Sequence, residues 1–223
     1  PLKNIGLIII DEEQEQSYKQ TEPAPRYNGR DAAIALGRIH GAQVVLGAAA
    51  PSLETLLNTL SNKYISKASY TAGPSATEII DIPAEKRKNG MVGALSRKLI
   101  QAVSECSGTA VLIRGWENQT EIQAQCDSLF GEGRAKVMSL AELKRNAPAD
   151  IALLALIQAD AFLGKDDFRS DEKAMQMLAI LQYFCPQVLI QTAVAERFNG
   201  ARTTEDLLKE RKDFNLPPYA RTV

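Results

Sequence analysis

Three cysteines, one histidine and one tryptophan are spread over 223 residues, and each scarcity closes off a class of protein. Cys106, Cys126 and Cys185 stand far apart and form no C-x-x-C pair. Neither a disulfide framework nor a four-ligand zinc centre is therefore expected, and a reducing, cytoplasmic setting fits. No apolar stretch reaches the roughly 18 residues needed to cross a bilayer, and no signal-peptide pattern opens the chain. Charge of one sign is not in excess: 26 Lys and Arg face 27 Asp and Glu, so any nucleic-acid partner would be held by a local basic patch. A G-x-x-x-x-G-K-[ST] loop is missing too. The nearest approach, Gly164-Lys165 in "AFLGKDD", lacks the first glycine, and no phosphate cradle follows from it. The chain opens on Pro1 and not on methionine, as expected of a segment that starts partway into a longer polypeptide.

What is present is an alternation of apolar runs and amphipathic stretches, with 45% hydrophobic residues to build a core. "IGLIIIDEEQEQSYKQ" (5–20) puts four branched aliphatics before Asp11, Glu12 and Glu13, which reads as a strand buried on both faces of a parallel sheet. "RDAAIALGRIHG" suits a helix closed by Gly41, with His40 as a cation at its C-terminal end. "QVVLGAAA" is the next buried strand, and "PSLETLLNTL" a helix with Pro51 at its first position. From Ser61 to about Gly93 the pattern loosens through "SYTAGPSAT", a strand-like "EIIDI" and the solvated turn "EKRKNG". A second block follows: helix "LSRKLIQAVSEC", strand "TAVLI", helix "NQTEIQAQCDSLFG", strand "AKVM", helix "SLAELKRN", strand "DIALLALI", helix "SDEKAMQMLAILQYF" and strand "QVLIQT". The fold class is α/β, with two stacked lobes joined by a linker. Cys126 and Cys185 read as core, and Trp116 as a tryptophan packed at a strand end.

Acids at the carboxyl end of a buried parallel strand stand where the ligands of such sheets gather. An aspartate there can hold Mg²⁺ and a glutamate can polarise an attacking water, because phosphoryl transfer needs charge neutralisation and an oriented nucleophile. Asp11 and Glu12 suit those roles; a solvated loop entry is the plainer alternative. Downstream, Tyr18 and Tyr27 interleave with Lys19, Arg26 and Arg30 in "SYKQTEPAPRYNGRD". Stacking faces mixed with phosphate-seeking cations hold single strands without reading sequence, although an ordinary surface loop has the same composition.

"GLIIIDEEQEQSYKQ…PRYNGRDAAI…VVLGAAAPSLET" closely resembles the primosomal protein N′ (PriA) family, replication-restart DNA helicases of superfamily 2, whose pattern is close to "GLIIVDEEH…SYKQ…PRYHARD…LGSATPSLET". The spacing agrees through roughly the first sixty residues. "EIIDI", "LSRKLIQAV", "ALIQADAFLGKDDFRSDEKAMQML", "VLIQT" and "LLKERKDFNLPPYAR" follow in the family's order, with a poorly matching patch around 114–148. The resemblance implies RecA-like helicase lobes, incomplete here: part of the first lobe over 1–82, a linker at 83–94, a second lobe over 95–196 without the family's zinc module, and the start of a C-terminal domain at 197–223. It implies ATP-dependent 3′-to-5′ unwinding, ATP and Mg²⁺ as cofactors, and DNA (single-stranded or forked) and other primosome or replication proteins as partners.

Residue by residue, the resemblance makes Asp11 and Glu12 catalytic, Asp11, Glu12 and Gln14 nucleotide-facing, and Asp11 the Mg²⁺ ligand where a nucleotide binds. Tyr18, Lys19, Arg26, Tyr27 and Arg30 form the aromatic-rich loop that senses DNA. Gly47, Ala48, Ala50 and Ser52 stand in the motif that couples hydrolysis to unwinding. The departures are specific. Gln14 replaces a histidine and cannot carry a proton, Asn28 replaces another, and Ala48 and Ala50 replace a serine and a threonine, so two hydroxyls are gone. Asp166, Asp167, Arg169 and Asp171 resemble a charged structural loop of the family. The family's arginine motif is missing, because "MLAILQYFCPQVLIQT" runs straight into the next strand. No stoichiometric zinc is expected. Two functions stay open: a helicase segment that is not a competent ATPase alone, or a degenerate, non-catalytic paralogue that binds DNA or a partner.

Overall fold

Residues 3–20, 22–67, 76–164, 168–198 and 203–219 are described by the structure, a computed structural model. They fall into two units, one comprising residues 1–66 with 208–223 and the other residues 67–207. Lys165, Asp166 and Asp167, and most of "SYTAGPSAT", lie outside the described residues.

The first unit is a β-α-β element followed by a helix. Strand β1 (Leu7–Ile10) pairs in parallel with β2 (Gln43–Leu46), and α1 (Gly29–His40) connects them. Asn28 caps α1 through its side chain, and Gly41 ends it at φ +65°. Gly37, in the middle of α1, lets the helix lie close on the strands: a Cβ there would stand 2.3 Å from Val44 Cγ2. The other face of the two strands is open, with Leu7 52% and Ile9 67% exposed. The expectation that β1 is buried on both faces is thus corrected. An apolar run satisfies either environment, and only the neighbouring elements decide between them. Helix α2 (Leu53–Leu60) is capped by Ser52, whose hydroxyl accepts from Thr55 N–H, so Pro51 lies before the helix and not at its first position.

The second unit opens with β3 (Ala76–Asp81), α3 (Ile82–Lys88), the short hairpin β4 (Met91–Val92) and β5 (Leu95–Ser96), and α4 (Arg97–Glu105). It continues through β6 (Thr109–Ile113), α5 (Gln119–Phe130), β7 (Ala135–Met138), α6 (Leu140–Arg145), β8 (Ile151–Leu156), α7 (Asp160–Leu163), α8 (Ser170–Phe184) and β9 (Gln187–Thr192). A last helix, α9 (Thr204–Asp213), spans the division between the units. The sheet is all parallel, in the order β3-β9-β8-β6-β7. Side chains alternate across it. Ala110, Leu112, Leu153 and Ala155 pack with Leu99, Val103, Ile122 and Cys126 on one face. Val111, Ile113, Leu154 and Leu156 pack with Leu143, Ala174, Met177 and Leu181 on the other. Both faces are covered by helices, which is why these strands read as unbroken apolar runs. This α/β architecture is consistent with a RecA-like lobe.

The division of the chain differs from expectation. Strand β3, expected with the first lobe, pairs in register with β9 from Ala76↔Gln187 to Asp81↔Thr192. The stretch 83–94, expected as a linker with a solvated turn, is helix α3 and a hairpin strand; Asp81 caps α3 by accepting from Ala84 N–H. Residues 208–223, expected to begin a further domain, group with 1–66. Trp116, expected to pack, is 65% exposed. Gly115 occupies the close position instead, where a Cβ would come within 2.7 Å of Ala161 Cβ.

Edge strands expose a row of backbone groups, and β7 meets this with side chains from a helix. Gln119 and Gln123, one turn apart on α5, take the place of a missing strand. Gln119 Nε2 donates to Val137 O (3.0 Å) and Gln123 Nε2 to Ala135 O (2.9 Å), while Val137 N–H donates to Gln123 Oε1 (2.8 Å). Gln123→Ala removes two of these bonds and is expected to destabilise the unit by about 1–3 kcal/mol. Urea titration of the variant checks this; a change under about 0.5 kcal/mol would mean that water replaces the amide at no loss.

All three cysteines are buried and free, and burial, with Asp127 nearby, pushes the Cys126 thiol up to about 11. At the start of α6, Ser139 and Glu142 form a capping box: Ser139 N–H and Oγ donate to the Glu142 carboxylate, and Glu142 N–H donates back to Oγ (2.7, 2.8 and 3.2 Å). The backbone bond from Ser139, then its hydroxyl, hold the Glu142 carboxyl below its ordinary value, with Arg114 and Arg145 contributing. A depressed carboxyl stabilises the fold above its unfolded pKa, about 4.3, and the contribution is lost as pH falls through the folded value. Amide exchange at Leu143 should therefore stay slow down to about pH 4.3 and quicken below it. Equal exchange across that range would remove the box as a contributor.

Candidate functional site

Everything the sequence singles out around Asp11 belongs to the first unit, and the structure gathers much of it at the carboxyl end of β1. The strand ends are locked together first. Gly47 N–H donates to Ile10 O (2.7 Å) and Glu13 N–H to Gly47 O (3.0 Å). Gly47 lies so near Asp11 that a Cβ would stand 3.1 Å from Asp11 Oδ1. Asp11 is exposed, and its Oδ1 accepts from Glu12 N–H at 2.9 Å. Glu12 has φ +50°, a left-handed conformation that non-glycine residues rarely adopt. Gln14 Nε2 donates to the Glu12 carboxylate, and Gln14 Oε1 is buried with no hydrogen-bond partner.

Glu13, to which the sequence reading assigned no role, is the organising acid. Its side chain is fully buried and receives Arg30 Nη1 at 2.9 Å, Ser52 N–H at 2.7 Å and Ser52 Oγ at 3.0 Å. Arg30 Nη1 also lies 2.9 Å from Ser52 Oγ, and its Nε bonds Asp31. Burial works against the Arg30 charge, but the bonds to Glu13 and Asp31 outweigh it and hold the guanidinium above its usual value. One signal pointed here: a third consecutive acid after a strand needs a cation if the chain folds back over it.

Arg30 was expected among exposed DNA contacts, and the structure corrects that placement, since it is 9% exposed and engaged with Glu13. The rest of the loop divides. Tyr18, on a single 3-10 turn (Gln16–Tyr18), donates its hydroxyl to Asp11 O at 2.8 Å. Its ring lies against Gly29, where a Cβ would be 3.3 Å away. A bridge between Lys19 and Asn28 and a bond from Gln20 N–H to Tyr27 O (2.9 Å) close the loop at its base. Beyond it Lys19, Arg26 and Tyr27 are exposed, Tyr27 by 53%. Of the remaining motif, Ala48 is half-buried, Ala50 is buried, and Ser52 is used twice, as cap of α2 and as partner of Glu13.

Among the described residues no group of three or more His, Cys, Asp or Glu could hold a metal ion. Mg²⁺ on nucleotides takes one or two carboxylates plus phosphate oxygens, and an exposed Asp11 fits the single-carboxylate role.

No family model matches the chain. It is 40% identical over 109 residues to the replication restart protein PriA of Chlamydia pneumoniae, covering 47% of this chain and 15% of that protein. It is 42% identical over 108 residues to that of Rickettsia conorii, covering 46% and 16%. With the protein of the same name from Bacillus subtilis it shares 53% over 55 residues, 25% and 7% of the two chains. The chain is a member of the PriA family. The matched stretches take up only 7–16% of these PriA relatives, so they compare a small part of each with about half of this chain or less. No helix among the described residues is long and apolar enough to cross a membrane.

Proposed function

We propose that this chain serves replication restart as a segment of a PriA-type, cytoplasmic DNA helicase, in which ATP hydrolysis drives 3′-to-5′ unwinding. The observation that carries the proposal is the bond from the Tyr18 hydroxyl to the Asp11 carbonyl, which ties the tyrosine loop directly to the acids. Asp11 would hold Mg²⁺ on the nucleotide, whose charge neutralisation is the chemistry the metal supplies; Glu12, beside Gln14, would orient the attacking water. Lys19, Arg26 and Tyr27 form the surface offered to single-stranded or forked DNA, while Arg30 holds the loop's base from inside. Partners are DNA and other replication proteins. The phosphate cradle and the transition-state arginine are not in this sequence, so the chain alone is not a competent ATPase.

Two exposed cations neutralise at most about two phosphates, so the log–log salt dependence for a single strand should have a slope near −1.4, about −0.7 for each contact. Tyr27→Ala should weaken single-strand binding by about 1–3 kcal/mol through lost stacking, with no change of fold. Fluorescence anisotropy with labelled oligonucleotides of several sequences reads both quantities. Binding untouched by Tyr27→Ala together with Lys19→Ala would remove DNA from this loop.

Ala48 and Ala50 favour a second reading, a non-catalytic paralogue that keeps the DNA- or partner-binding surface, because alanine cannot supply the coupling hydroxyls. Restoring them (Ala48→Ser, Ala50→Thr) in the longest natural polypeptide that contains this chain separates the two. A helicase already active without the substitutions rejects the paralogue reading.

A further inference from the structure

The two ends of the tyrosine loop are anchored to the residues on either side of Glu12. From one end the Tyr18 hydroxyl reaches Asp11 O (2.8 Å); from the other Arg30 reaches the Glu13 carboxylate (2.9 Å). Between these anchors Glu12 is held at φ +50°. Glu12 O also accepts from Glu15 N–H (2.9 Å), so the turn that follows depends on the same conformation. A side chain in such a backbone region persists only where its surroundings over-determine it. Glu13 adds a third anchor, because its other carboxylate oxygen takes Ser52 N–H at the start of α2 (2.7 Å).

We propose that Tyr18 and Arg30 are positioning residues for Glu12: acting from the two ends of the loop, they impose its left-handed backbone, and a DNA strand seated on the loop shifts where the Glu12 carboxylate points. The DNA half of this statement rests on the loop role given above. The positioning half stands on the anchors alone. Arg30 is then a transmitting residue and not a phosphate contact, and the pull is relayed to the cap of α2 through Ser52. The switching element is one peptide torsion, which a small displacement of either anchor can release, since an L residue freed of constraint returns to negative φ.

Backbone NMR of the full chain tests it. The Cα and Cβ shifts of residue 12 should carry a left-handed signature in the parent protein. Tyr18→Phe, which deletes one hydroxyl and keeps the ring, should move them part of the way to extended values, and adding Arg30→Lys should complete the change. The amides of α1 and β2 report that the unit is still folded. If the double variant unfolds the first unit, the single Tyr18→Phe variant decides. A left-handed signature unaltered by Tyr18→Phe, or by a folded double variant, overturns the positioning role. Titration of the parent protein with a short oligothymidylate should shift the amides of Arg26 and Tyr27 together with those of Glu12, Glu13 and Ser52. Shifts confined to 19–27 overturn the transmission. No shift anywhere overturns the loop's DNA role itself and the transmission with it, whereas the signature of residue 12 still decides the positioning.

Discussion

Arg30→Ala is expected to destabilise the first unit by about 3–5 kcal/mol, the usual cost of removing one partner from a buried ion pair. The cost comes mainly from what is left behind. Glu13 would keep a fully buried side chain with only the Ser52 N–H and hydroxyl to satisfy a carboxylate, in a place that water does not reach. Replacing both partners should be milder than replacing Arg30 alone, so Glu13→Gln added to Arg30→Ala is expected to recover part of the loss, an interaction that a double-mutant cycle isolates. Hydrogen exchange resolves the effect by region: protection at Ile8, Val44 and Leu56 should fall, while Leu112 and Ile190 of the second sheet keep theirs. A loss below about 1 kcal/mol would place the pair in the class of exposed, weakly contributing ion pairs, against the burial seen here.

ATP turnover by the chain alone is expected to fall at least about 10³-fold below that of a complete motor, the least that a transition-state arginine is worth in related phosphoryl-transfer enzymes. Loss of the phosphate-binding loop deepens the deficit, because the γ-phosphate is then neither held in line nor shielded. What the chain retains, an exposed Asp11 and a Glu12 whose carboxylate is bonded by Gln14, can bind a metal–phosphate group only weakly without that cradle. A phosphate-release assay with single-stranded DNA present makes the measurement. Steady DNA-stimulated turnover that Glu12→Gln abolishes would show that the acids suffice, and the account of this unit as an incomplete motor would be wrong.

The second sheet was legible almost residue by residue. "TAVLI", "AKVM" and "QVLIQT" coincide with β6, β7 and β9, and "SDEKAMQMLAILQYF" with α8. Strands covered on both faces leave short apolar runs, and Asn118, Ser139 and Gly131 mark where helices begin and end. Around the acids the reading was less complete. The spacing of Asp11, Tyr18, Gly47 and Ser52 suggested one neighbourhood, but nothing in it distinguished an exposed Arg30 from a buried one. An arginine in a tyrosine-rich loop has the same letters whether its guanidinium meets phosphate or Glu13.

The sequence by itself determined the α/β alternation, the caps that bound its helices, the absence of a phosphate loop and the family to which the chain belongs, because each of these is written in local spacing or composition. Tertiary structure alone decided the pairing of β3 with β9, the open face of β1, the exposure of Trp116 and the junction of Glu13, Arg30 and Ser52. These depend on contacts between residues 17 to about 110 positions apart, and the free energy of burying a charge or a strand face is set by what arrives from elsewhere in the chain.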